Sequence, residues 1–144
     1  MPQHTLTTAF TNTAWAELAV DASRALPCKQ NVQRTERTFS GGGVEGWASE
    51  SSVLTAHAEA TTDATGDGQM FFVGSVDGKQ GAFAASTHTM IVDFVLSASW
   101  TIIPGTASGE LAGISGTGSY SFKLGNDGNM KGVPVKAEFV VSFS

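Results

Sequence analysis

Six side chains carry the types from which chemistry could be built: Glu45, Glu50, His57, His88, Asp93 and Glu110. No two of them have the spacing of a metal-binding pair on a helix, and three scattered histidines do not make a metal site, so none is expected. Serines abound, yet none stands in a nucleophile elbow, which weighs against Ser-His-Asp acyl transfer. Carboxylate chemistry is better supported. A glutamate inside an apolar, strand-lined interior beside an indole has its charged form disfavoured by desolvation, and this tunes it toward proton transfer. Glu45, two positions from Trp47, is therefore the candidate proton-transfer group, with Tyr120 and His57 as polar groups able to stabilise developing charge. The plainer alternative is that Glu45 and Glu50 are outward or salt-bridged. Glu110, within Gly109-Glu110-Leu111-Ala112-Gly113, reads as a structural acceptor of backbone N–H groups.

The elements that must position these groups are strands. Residues 44–60 alternate, with Glu45, Trp47, Ser49, Ser51, Val53, Thr55 and His57 on one face. Val44, Gly46, Ala48, Glu50, Ser52, Leu54 and Ala56 occupy the other. Neither face is uniformly apolar, which predicts that one lines a cavity. Residues 29–40 read as a strand with Thr35, Arg37 and Phe39 opposed to Arg34, Glu36 and Thr38, and its basic residues read as a solvated face. Residues 133–143 place Val135, Ala137, Phe139, Val141 and Phe143 together, a half-buried pattern. Further runs lie at 5–15, 69–76, 82–101 and 119–124, with turns at 61–68, 77–81 and 125–129. Alanines at 14–25 permit a short helix that Pro27 would stop.

Composition bounds the rest. The chain has 144 residues, 15% of them charged, with 17 glycines. That suits one all-β domain spanning 1–144 and rich in corners. A net charge of −5 argues against nucleic acid as a partner. Cys28 is the sole cysteine, so no disulfide can form within the chain. The first residues show no basic and apolar leader, and no apolar run approaches the ~20 residues of a membrane-spanning helix. The expectation is a cytoplasmic protein with no membrane contact.

Between Trp100 and Gly118 the chain reads WTIIPGTASGELAGISGTG. Together with Trp15-Ala16-Glu17, Phe39-Ser40-Gly41, Val44-Glu45-Gly46 and Asp77-Gly78-Lys79-Gln80-Gly81-Ala82-Phe83, it resembles a family of small domains of unknown function. Those domains have an allene-oxide-cyclase-like barrel. The resemblance implies a closed antiparallel β-barrel of about eight strands, calycin-like in shape, and a strand end rather than a helix near Trp15. It also shows two departures. Trp47 stands where relatives often have glutamate, and Thr87 stands where they often have histidine. His88 is adjacent to Thr87 but must point to the opposite face.

An eight-stranded barrel has room inside for side chains or one small ligand. Trp47, Phe72, Thr87, Trp100, Phe122 and Phe139 are the expected substrate-binding residues, with Met90 and Phe94 of the apolar stretch 90–96 closing over the lumen. That stretch serves equally as a subunit interface, which would make a homodimer. The function expected is a cofactor-independent cyclase or isomerase, a Diels-Alderase-type pericyclase being one form of it. Its substrate would be a small apolar polyene, polyketide-like or terpenoid-like, held in a reactive conformer. The alternative is a non-catalytic protein that binds a small apolar molecule.

Overall fold

The computed structural model describes residues 2–20, 29–56, 63–124 and 132–144. Alternation of side chains produces nine strands: β1 His4–Val20, β2 Lys29–Ser40, β3 Val44–Ala56, β4 Ala64–Val76, β5 Lys79–Val92, β6 Val95–Ile102, β7 Ser108–Gly109, β8 Ile114–Lys123 and β9 Pro134–Phe143. Each long strand pairs antiparallel with the next, β6 pairs with β8, β9 returns to β1, and β4–β5 completes the ring. The result is a closed up-and-down barrel of eight strands, with the two-residue β7 added to the edge of β5 at Gly81 and Ala82. Closure removes the unpaired sheet edges that would otherwise invite pairing with another chain.

Turn chemistry fixes the register. Val76 faces Lys79 across Asp77-Gly78, and both turn residues have positive φ, the geometry that matches the twist of a hairpin. The β5–β6 turn has the same shape, but there Asp93 and Phe94 supply the positive φ (53° and 66°), a conformation disfavoured for a bulky side chain. The reading of 61–68 as a turn is corrected at its C-terminal half. β4 begins at Ala64, because Gly66 and Gly68 extend the ladder against Leu54 and Ser52. The helix permitted at 14–25 is absent as far as Val20: β1 remains extended past a bulge at Asn12/Ala14 and pairs with β2 to Gln30. Residues 21–25, the turn at 125–129 and Cys28 lie outside the described residues.

The glycine-rich segment after Trp100 forms the barrel's closed end. The Glu110 N–H donates to Gln80 O at 2.7 Å, and Glu110 Oε1 accepts the Gln80 N–H at 3.1 Å. Glu110 is thus the backbone acceptor that its sequence setting suggested. The two bonds hold Leu111 as a fully buried plug. Among the described residues no helix is long and apolar enough to cross a membrane.

Candidate functional site

Inward positions differ sharply along the barrel axis. Toward the closed end stand Phe10, Phe39, Phe72, Phe83, Phe139 and Trp100, all nearly inaccessible. Phe39 is the hub, with ring centroids 5.4 Å from Phe10, 5.9 Å from Phe72, 6.3 Å from Trp100 and 5.6 Å from Phe139. Offset and edge-to-face contacts of this kind add to the stabilisation from burying the rings. The Trp100 indole fits only because Gly118 faces it on β8: a Cβ there would lie 2.1 Å from the ring. This half of the barrel is packed solid.

The other half is sealed on some strands and partly accessible on others. Along β3 the inward residues run from Val44 and Ala48, fully buried, to Ser52, Leu54 and Ala56, half-buried; along β8 they run from Ile114 to half-buried Tyr120 and Phe122. On these two strands accessibility rises toward the end where β3 finishes and β4 begins, whereas at the same end Ala64 of β4, Ile91 of β5 and Leu96 of β6 stay buried. β1 and β2 extend beyond β9 at that end, since β9 meets β1 only from His4 to Thr11.

Between the aromatic floor and the open half lies a polar layer. Arg37 on β2 is 3% exposed, and its Nη2 donates to Glu50 Oε1 of β3 at 2.7 Å. The guanidinium carbon sits 4.8 Å from the Phe10 ring centroid and 5.9 Å from that of Tyr120. Tyr120 in turn lies 6.1 Å from Trp100, centroid to centroid. Asn12 is directly opposite Arg37 across β1–β2, and Thr87 is opposite Trp100 across β5–β6. Four buried polar atoms, Asn12 Oδ1 and Arg37 Nε of this layer, Thr87 Oγ1, and Trp100 Nε1 of the floor, have no hydrogen-bond partner among the described residues. An unpaired buried polar atom costs roughly 1–3 kcal/mol. Burial raises the Tyr120 hydroxyl above its ordinary pKa, opposed by the adjacent Arg37 charge, so the phenol keeps its proton at neutral pH.

The sequence-derived site is therefore redrawn. Glu45 lies on the outer face, exposed, with Oε1 accepting the Gly41 N–H at 2.8 Å to clamp the β2–β3 turn. Trp47 is 38% exposed on that same face, because alternation from buried Val44 and Ala48 sends it outward. Met90 is outward as well, since Thr87 and Ile91 take the inward positions of β5. Phe94 is exposed at the tip of a two-residue turn too short to fold over the lumen. Phe72, Trp100 and Phe139 do face inward, but as floor. Thr87, Tyr120 and Phe122 face the polar layer and the open half. His57 lies outside the described residues. Sequence reasoning missed Asn12 and Arg37, although Arg37 shares a face with Phe39; Glu50 was among the six candidates, and its pairing with Arg37 is the salt-bridged alternative.

On the outer surface the segments 97–99 and 119–121, which include Ala98 and Tyr120, border with His88 and Met90 a shallow groove of about 430 Å³. His88 Nδ1 pairs with Asp67 Oδ1 at 2.8 Å, with both side chains largely in solvent. Exposed pairs of this kind contribute little. Among the described residues no three His, Cys, Asp or Glu side chains gather to hold a metal ion.

Fold and site together define a small up-and-down antiparallel barrel, packed with aromatic rings toward one end, with a buried polar layer beyond them and partly accessible inward residues of β3 and β8 toward the other. The chain belongs to the DUF3224 family of proteins of unknown function, whose family model matches residues 6–131. The crystal structure of a DUF3224 protein of unknown function from Shewanella oneidensis MR-1 superimposes with a TM-score of 0.78 at 19% identity, covering 99% of each chain. At that identity the likeness establishes the shared fold. No curated protein matches the chain.

Proposed function

We propose that the protein binds a small amphipathic organic molecule in the open half of its barrel. The polar end of the ligand would reach the Arg37 layer, and its apolar body would rest against Leu54, Ala98 and Phe122. The observation that carries this reading is the four buried, unpartnered polar atoms of Asn12, Arg37, Thr87 and Trp100, beyond which the inward residues of β3 and β8 become partly accessible. A barrel of eight strands has the width for one such guest, and apolar walls with a few convergent polar groups are the usual make-up of a ligand site. The test uses prodan, an uncharged aromatic ketone whose emission shifts to the blue in apolar surroundings. Saturable one-to-one binding with a blue shift, lost when Ala98→Trp fills the lumen, is the expected result. No saturable binding, or binding unaffected by that substitution, would overturn the reading.

A second reading is a cofactor-independent cyclase or isomerase, and Tyr120 favours it. A phenol that keeps its proton beside a guanidinium can donate to a carbonyl oxygen as ring closure of a bound polyenone shifts electron density onto it. Glu50, already accepting from Arg37, is poorly placed to act as a free base. On this reading Tyr120→Phe leaves ligand affinity within a few-fold and lowers formation of the isomeric product; equal loss of both would assign Tyr120 to binding alone.

A further inference from the structure

We infer that the polar layer selects an uncharged carbonyl group carrying its own adjacent N–H or O–H, a primary amide being the simplest case, and excludes carboxylates and ammonium ions. This rests on the open-half reading above and specifies the chemistry of its ligand.

Charge comes first. Arg37 and Glu50 neutralise each other at 2.7 Å, with side chains only 3% and 11% exposed. A ligand carboxylate inserted there would set two negative charges against one positive in a poorly solvated space. An ammonium would meet the converse imbalance. Neither charge would recover what it loses on leaving water. The end of the ligand that enters the layer is therefore neutral.

Hydrogen-bonding capacity comes second. The Arg37 Nε–H is a donor only, and Asn12 Oδ1 is an acceptor only. Both are unpartnered, and their residues stand opposite each other on neighbouring strands. A ligand group that reaches both needs an acceptor and a donor, as in a carbonyl oxygen with its own N–H or O–H. Thr87 Oγ1, able to donate or accept, is unpartnered as well. Trp100 Nε1 is the least available of the four, because it lies against Gly118.

The test compares octanamide, octanoate and octylamine at neutral pH by isothermal titration, with matched chains so that only the head group differs. Wild-type protein is expected to bind octanamide at least about tenfold more tightly than either ion. Glu50→Gln keeps the shape but leaves Arg37 uncompensated, so the order should invert in favour of octanoate. Asn12→Leu should lower octanamide affinity about tenfold, and it serves as the second variant if Glu50→Gln melts below the assay temperature. Equal or tighter binding of octanoate by wild type, or no inversion in folded Glu50→Gln, overturns the inference while prodan binding leaves the open-half reading standing. Loss of prodan binding as well as octanamide binding overturns both.

Discussion

Removing the Arg37 guanidinium while keeping its volume, as in Arg37→Met, strands the Glu50 carboxylate in a wall that is only 11% exposed at that side chain. Breaking a buried pair from one side costs about 3–5 kcal/mol, and the partial access of Glu50 to solvent places the expected loss near ~3 kcal/mol. For a chain of this length each kcal/mol moves the melting midpoint by about 4 °C, giving a fall of roughly 12 °C. Glu50→Met should cost a similar amount, because it leaves the more deeply buried Arg37 unpaired. The double variant is expected to return to within ~1 kcal/mol of wild type, since two well-packed apolar side chains often replace a buried pair at little net cost. Urea denaturation of the four proteins supplies the cycle. Additive losses in the double variant, with no recovery, would refute the reasoning that each charge is held only by the other.

Other expectations follow from the same interior. Tyr120 is the chain's single tyrosine, so near-ultraviolet absorbance reports its ionisation alone. Its folded pKa lies above that of the unfolded chain, so the folded state binds the proton more tightly; its contribution to stability is intact below about pH 10 and is lost as pH rises through the folded value. A midpoint below 10 in the folded protein would contradict the burial argument. Phe94→Gly relieves a left-handed conformation at an exposed turn and should stabilise the protein by about 1 kcal/mol, read as a higher urea midpoint; a lower midpoint would mean that the phenyl ring contributes more than its backbone costs. Gly118→Ala drives a Cβ into the Trp100 ring and should destabilise by more than ~2 kcal/mol, with a shift in the emission of the buried indole.

Much of the fold was legible. The alternation of Val135, Ala137, Phe139, Val141 and Phe143, and the turn residues Asp77-Gly78, specify strands and a hairpin by local rules that the closed sheet reinforces. The corner from Pro104 to Gly116 announced close backbone approach, and Leu111 sits there as a plug. The site was less legible. Periodicity says which residues share a face but not which face is inside, and for residues 44–56 the two faces looked alike: Trp47 drew the reading one way, whereas Val44 and Ala48 decided it the other. Arg37 looked solvated because a charge is expected in water. The pairing of β2 with β3, which brings Glu50 within 2.7 Å, makes its burial tolerable. The outward histidine was predictable, since Thr87 and His88 are neighbours on one strand and must point apart.

The open-half account is tested most directly by nitrogen–proton correlation spectra during titration with octanamide. Three indole N–H signals are available, from Trp15, Trp47 and Trp100, together with the buried Arg37 Nε–H. The account predicts that the Arg37 Nε–H signal moves along a saturable curve while Trp47, on the outer face, stays fixed. Movement of Trp47 alone, or of no signal at saturating amide, would contradict it.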